Sequence, residues 1–372
     1  MKFSIKKADI LDVLSKVQGV TGRKSSLAIT EAVLLRANSE GVVITATDLE
    51  TGFEGGYPAI VETEGTIALN SKKFYEIIRD FPTEDVIINE VENRWIEIGH
   101  PKVIYHIVGM NPDDFPDSPV IEDINFIQID SYTLKRMIER NVMVYGPSDD
   151  KRAHIIGAYF HKIVKNEKKM VRMVSTDGSR LLLMDGGYEG EIELKEGEGI
   201  LIPKKGLHEI NKFLEKEGVV QVGIKDSHFV LKKEKETIIV RLLEGSFPSY
   251  EQIIVKDNGY IIPVNRQKFS MMLKRMSILS SEDYKAAIFN FEKDTLIITA
   301  SNPDIGESKE DMPIEFEGES LTIAFNPRFF IDTLNVIDSE EVIIYLVNEE
   351  KPCLLFDKND DSFLSAIMPM RI

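Results

Sequence analysis

An apolar strand that closes on a Thr-Asp pair, or on a near variant of it, occurs three times in this chain of 372 residues. The copies are Val42-Val43-Ile44-Thr45-Ala46-Thr47-Asp48, Val171-Arg172-Met173-Val174-Ser175-Thr176-Asp177 and Leu296-Ile297-Ile298-Thr299-Ala300-Ser301-Asn302, spaced by 129 and 125 residues. Downstream of each comes a second strand, a cap or proline with basic residues, and an amphipathic helix, at Ala68–Phe74, Leu201–Leu207 and Ala324–Phe330. Each helix is followed by two alternating apolar runs with the signature of a hairpin, such as Val219-Val220-Gln221-Val222 with Phe229-Val230-Leu231. Each third also opens on a strand and a helix; in the last one Phe269, Met272, Leu273 and Met276 keep the i, i+3, i+4, i+7 period. Solenoid units run to ~20–50 residues, so a repeat of this length is a domain in its own right. Single cores stop growing near ~250–300 residues, which independently demands more than one domain. Three domains are expected, at 1–122, 126–253 and 259–372, each of two strand–helix–strands halves in an α+β fold.

Composition narrows the function. Cys353 is the only cysteine, so no intramolecular disulfide or cysteine zinc cluster can form. The opening Met1-Lys2-Phe3-Ser4-Ile5-Lys6-Lys7 places charges where a signal peptide needs apolar residues, and no run approaches the ~20 apolar residues of a membrane span. A cytoplasmic address with no membrane partner is the expectation. The net charge of −17 argues against a protein that coats nucleic acid with its whole surface. The charge is unevenly kept, however. The helix-bearing segments 6–24, 70–81, 131–141, 203–217, 265–279 and 326–337 together carry +11, which leaves −28 for the rest. Such segregation attracts phosphate to one surface and repels it elsewhere, although lysines that merely solvate helix faces produce the same count. No recognition-helix signature accompanies it, so any DNA contact is to backbone rather than base edges.

Catalytic signatures fail one by one. There is no Walker A loop, no Gly-x-Ser-x-Gly elbow, no His-Glu-x-x-His and no dinucleotide fingerprint. His100 and His106 fit a solvated or half-buried pair better than a metal site. Asp357, Asn359 and Asp361 begin like a calcium loop, but Ser362 and Met368 stand where its glycine and glutamate belong. Asp48, Asp177 and Asn302 follow strands, and the substitution of one by Asn favours turn residues that bond their own backbone. Cys353 fits a small strand hydrophobe. Catalytic residues, metal and cofactor are all expected to be none.

In this order, Met1-Lys2-Phe3, Thr47-Asp48-Leu49-Glu50, Asp114-Phe115-Pro116, Thr176-Asp177-Gly178-Ser179-Arg180-Leu181, Pro203-Lys204-Lys205-Gly206, Phe247-Pro248-Ser249-Tyr250 and the terminal Met368-Pro369-Met370-Arg371-Ile372 resemble the bacterial sliding clamp family, the beta subunits of the replicative DNA polymerase, over the full length. The resemblance implies three DNA-clamp domains per chain and a homodimer that closes a six-domain ring around duplex DNA without sequence preference. It implies a non-enzymatic processivity factor that tethers the replicative polymerase and other proteins carrying clamp-binding motifs, and that is loaded by a clamp loader. DNA-touching positions implied are Arg23, Lys24, Arg152, Lys204 and Lys205; helix charge adds Arg136, Arg140, Lys274 and Arg275. Asp149, Asp150 and Gln252 depart from the family pattern near them.

The resemblance further implies a partner-peptide pocket at Thr176, Gly178, Ser179, Arg180, Leu181, Pro248, Ile253, Met368, Pro369, Met370 and Arg371, suited to an extended peptide with Leu and Phe anchors. Its dimer interface matches Lys73, Ile77, Lys102, Tyr105 and Ile107 against Ile278, Leu279, Glu307 and Glu310, with the strand Lys102–Val108 pairing edge to edge. Two other classes remain on the residues alone: a repeat-built hydrolase using Asp48 or Asp177, and an interaction scaffold that does not touch DNA.

Overall fold

The computed structural model describes residues 1–21, 27–101, 103–117, 119, 123–144, 146, 150–194, 197–254, 258–279 and 285–371. Contacts divide the chain into two compact units, one of Met1–Lys135, Gly187–Lys195 and Ile202–Leu243, the other of Arg136–Gly186, Glu196–Leu201 and Glu244–Ile372. Both units cut through the middle third, and the sheet pairing explains why.

In the first unit, a five-stranded sheet runs in the order Ala59–Thr63, Lys2–Lys6, Asp85–Glu90, Trp95–His100, Val103–Val108. An eight-stranded sheet then joins two repeats: Phe126–Asp130, Val219–Lys225, His228–Lys233 and Glu236–Arg241 continue directly into Thr51–Tyr57, Gly41–Thr47, Ala32–Asn38 and Gly65–Asn70. The seam is antiparallel, with Ile238 opposite Phe53 and Val240 opposite Thr51.

The second unit repeats the device. Gly199–Pro203, Gly157–Lys165, Lys168–Thr176 and Arg180–Gly187 continue into Asp360–Ile367, Cys353–Asp357, Glu341–Leu346 and Tyr260–Asn265. Here Arg180 lies opposite Ile367 and Met184 opposite Phe363. A four-stranded sheet of Gly306–Pro313, Thr295–Asn302, Ala287–Glu292 and Leu321–Phe325 completes it.

The helices lie where the repeat places them, at Lys7–Val17, Ser71–Arg79, Ser131–Val142, Lys204–Asn211, Arg266–Met276 and Pro327–Asn335. Asn70, Asn265 and Asn326 cap three of them by accepting from backbone N–H groups of the first turn. Their apolar stripes fill the cores: Ile10, Val13, Leu14 and Val17 are fully buried in the first helix, and Phe269, Met272, Leu273 and Met276 are buried in the Arg266–Met276 helix.

The Thr-Asp turns are conformational twins. Asp48 Oδ1 accepts from the amides of Glu50 (3.0 Å) and Thr51 (2.6 Å), and Asp177 Oδ1 accepts from those of Ser179 (3.0 Å) and Arg180 (3.0 Å). Thr47 and Thr176 each accept from the next-but-one amide and donate to the carbonyl that closes the turn. The residue after each aspartate is left-handed, Leu49 at φ 76° and Gly178 at φ 90°. Asn302 holds the third turn by accepting from the Asp304 amide at 3.0 Å. The turn reading of these three residues is therefore correct, and Cys353 is fully buried in its strand, where burial pushes its thiol up. No described helix is long and apolar enough to cross a membrane.

Candidate nucleic-acid and partner interfaces

Arg23 and Lys24 lie outside the described residues, as do Lys102 and Asp149. The other basic positions divide by burial and by the acids that meet them. Lys204, expected to touch DNA, is only 4% exposed. Gly206 lies so close to the Glu236–Arg241 strand that a Cβ built on it would be 2.3 Å from Val240 Cγ1, and this close approach draws the first turn of the helix inward. Lys204 is accordingly corrected from a surface cation to a buried one. Arg140 is corrected in the same way: it is 3% exposed, lies 4.8 Å over the Phe363 ring, and donates to Asp360 at 3.1 Å and Asp338 at 3.4 Å. Arg136 joins it, donating to Asp360 at 2.8 Å. These two arginines tie the Ser131–Val142 helix to residues of the last third.

Four expected cations do face solvent. Lys205 donates to Asp48 Oδ2 at 2.6 Å, and Arg152 forks onto Asp150 at 2.6–3.2 Å. Arg152 holds the Asp150 carboxyl down at about 2. Arg275 makes a forked pair with Glu310, while Lys274 is exposed with no ion-pair partner among the described residues. The cationic ends of these pairs are exposed and open to a phosphate, whereas the Asp48 and Asp150 side chains are only 7% and 11% exposed.

The positions expected to line a peptide pocket fall together in the second unit. Leu181 is buried in one apolar cluster with Val174, Leu183, Tyr250, Leu354 and Ala366, and Ile253 and Phe247 pack on its edge. Pro248 is exposed beside them. The tail is fixed by two hydrogen bonds, from the Met368 amide to the Ser179 carbonyl at 2.9 Å and from the Met370 amide to the Ala324 carbonyl at 2.8 Å. Met368 and Met370 are each 37% exposed, next to the exposed Gly178, Ser179 and Arg371, with Thr176 and Pro369 half-buried. Arg180 is the charged member of this set that is buried, at 7% exposure. Its guanidinium covers the half-buried ring of Phe329 at 4.5 Å, a residue that sequence reasoning missed. The signal was there: Phe329 is a second aromatic beside the core Phe330, at a helix position the repeat already marked.

A buried polar group lies within the same cluster. His161 Nε2 is 2.9 Å from the Tyr250 hydroxyl, which also accepts from Arg172 at 3.4 Å, and Arg172 forks onto Asp185 at 2.6 and 2.9 Å.

Two strand edges complete the geometry. Val103–Val108 ends the five-stranded sheet and Gly306–Pro313 ends the four-stranded one. Of the expected interface residues, Lys73, Tyr105, Ile278 and Glu307 are exposed, and Ile77, Ile107, Leu279 and Glu310 are half-buried.

Models for the N-terminal, central and C-terminal domains of the DNA polymerase III beta subunit match residues 1–119, 128–249 and 251–371. A crystal structure of a putative DNA polymerase III beta subunit from Eubacterium rectale superposes with a TM-score of 0.91 at 30% identity, covering all of both chains. The chain belongs to the DNA polymerase III beta subunit family. Family relatives include the beta sliding clamp of Pseudomonas putida, 27% identical over 374 residues with both chains fully covered. A DnaN sliding clamp from Bartonella birtlesii bound to griselimycin is 25% identical with a TM-score of 0.92, again over both whole chains.

Proposed function

We propose that the chain is a DNA sliding clamp that closes head to tail with a second copy into a ring around duplex DNA, and that it performs no chemistry of its own. One observation carries the assembly. Inside the chain, the last strand of the second repeat, Glu236–Arg241, pairs with Thr51–Tyr57 of the first, and the last strand of the third, Asp360–Ile367, pairs with Arg180–Gly187 of the second. The repeat equivalents left over are Val103–Val108, the last strand of the first repeat, and Gly306–Pro313 of the third. Each of them stands at the edge of its sheet. A heterologous contact between these edges on two molecules continues the same seam and closes after two chains. On this reading the domains are 1–122, 126–253 and 259–372.

Weak, sequence-independent phosphate contacts from Lys205, Arg152, Lys274 and Arg275 let such a ring slide, while topology prevents escape. The acidic remainder keeps DNA off other surfaces. Asp48 and Asp177, the carboxylates a hydrolase would use, are turned onto their own backbone. The cluster around Leu181, with the methionine tail beside it, receives extended peptides from the polymerase, the clamp loader and other cytoplasmic partners through Leu and Phe anchors. The griselimycin-bound Bartonella relative supports a ligand site on this fold. Solution mass measured together with negative-stain electron microscopy tests the assembly. The expected result is a two-chain ring with a hole wide enough for duplex DNA; compact monomers at high concentration would overturn it.

A further inference from the structure

Arg180 sits among the pocket positions, yet its side chain is almost wholly buried, and three of its donors are assigned to three separate segments. Nε donates to Asp177 Oδ2 in its own turn at 2.9 Å, Nη1 to Asp332 Oδ2 on the Pro327–Asn335 helix at 2.7 Å, and Nη2 to the Met143 carbonyl at 3.4 Å. The guanidinium carbon lies over the Phe329 ring of that same helix, 4.5 Å from its centroid. A rigid planar fork held over an aromatic ring and bonded to several segments constrains the distance between them, which a lysine could not do.

We propose that Arg180 is a positioning residue for the partner pocket and makes no peptide contact: with Asp332 it forms a strut that sets the spacing between the Thr176–Leu181 turn and the Pro327–Asn335 helix. This rests on the pocket reading given above. The turn and the helix are both tied to the methionine tail, the turn through the Ser179 carbonyl and the strand leading to the helix through the Ala324 carbonyl. A change in their spacing therefore moves Met368 and Met370, the flexible part of the apolar surface. The Asp332 side chain is 43% exposed, so solvent screens this arm of the strut, and its removal leaves the buried packing in place.

The test uses the full chain and a short uncharged peptide with one Leu and one Phe anchor, titrated by fluorescence anisotropy at low and high salt. Asp332→Asn is expected to weaken binding about fivefold, the order of one partly exposed charge pair, with the thermal midpoint nearly unchanged. Wild-type affinity for the uncharged peptide is expected to fall with salt, that dependence is expected to vanish in Asp332→Asn, and Asp332→Glu is expected to restore part of the affinity. A purely structural role for Arg180 would not produce the salt effect. Arg180→Met combined with Asp332→Asn should bind no worse than Arg180→Met alone. If Arg180→Met weakens binding while Asp332→Asn does not, Arg180 is a direct contact and the strut is overturned. If the wild-type chain fails to bind the peptide at all, the pocket reading falls and the strut falls with it.

Discussion

Lys205 Nζ lies 2.6 Å from Asp48 Oδ2, so the turn carboxylate of the first repeat reaches a lysine of the second. In the second repeat the equivalent oxygen, Asp177 Oδ2, is met by Arg180 from its own turn. One turn with the same backbone bonds thus serves two ends, and the comparison separates what Asp48 does for the fold from what it does to a surface charge. Asp48→Ala should cost about 1–3 kcal/mol in urea unfolding, because two amides lose a charged acceptor. Asp48→Asn, which keeps an acceptor, should cost much less and, by freeing Lys205, should raise DNA affinity at low salt.

A Cβ on Gly19 would lie 2.2 Å from Glu209 Oε1, the far end of a flexible side chain, so the carboxylate has to shift to admit it. Glu209 is buried on the Lys204–Asn211 helix and paired with Lys212 at 2.6 Å. Gly19→Ala is expected to destabilise by about 1 kcal/mol, the low end of overpacking because only a carboxylate end has to move, and Glu209→Ala should recover part of that loss in a double-mutant cycle.

Arg140→Met removes the buried partner of Asp360. A loss of about 2–3 kcal/mol is expected, below the ~3–5 kcal/mol of a fully buried pair because Asp338 is largely solvated. Urea unfolding measures it, and DNA retention at equal folded concentration should be unchanged.

Acid should weaken the fold in two stages. Burial and the neighbouring Arg172 hold the His161 imidazole below its usual value, against Glu251, the backbone of Lys162 and Asp185. The unfolded chain binds this proton near pH ~6.5 and the folded chain does not, so stability is intact above that pH and is lost as pH falls from there through the folded value. For Asp360, burial pushes the carboxyl up, but Ser362 and Arg140 outweigh it and hold it down at about 2. Its contribution is complete above pH ~4 and is lost as pH falls toward about 2. Urea midpoints across this range should show both stages, and His161→Gln should remove only the upper one.

Ile278 is 74% exposed in the single chain, on the side expected to meet the second copy. Burial of such a side chain contributes about 1.5–3 kcal/mol, so Ile278→Asp should raise the dimer dissociation constant at least tenfold by analytical ultracentrifugation, with folding unchanged.

Much of the fold was legible because its signals are local. The Thr-Asp turns, the caps and the 3.6-residue stripes each lie within a few residues of one another, and the threefold repetition confirmed them. The pairing of Glu236–Arg241 with Thr51–Tyr57 was not legible, because nothing in either strand names a partner in another repeat. Charge was the least legible signal. Counting basic residues on helices marked Arg140 as a surface cation, and the family resemblance did the same for Lys204, but neither can see that Asp338 and Asp360 come back to meet Arg140, or that a close-packed glycine draws Lys204 inward. The pocket positions emerged together because they sit on turns and a tail whose sequence is itself distinctive. Arg180 was expected to line the pocket from its place in the sequence, and its bonds to Asp177, Asp332 and Met143 were not legible there.

The most direct test of the encircling ring is retention on DNA with and without ends. The protein, assembled on nicked circular DNA with a clamp loader and separated from free protein at moderate salt, should remain bound for many minutes and should be released promptly when the circle is cut once. Equal retention on circular and cut DNA would contradict a topological link and would return the chain to the class of ordinary surface binders.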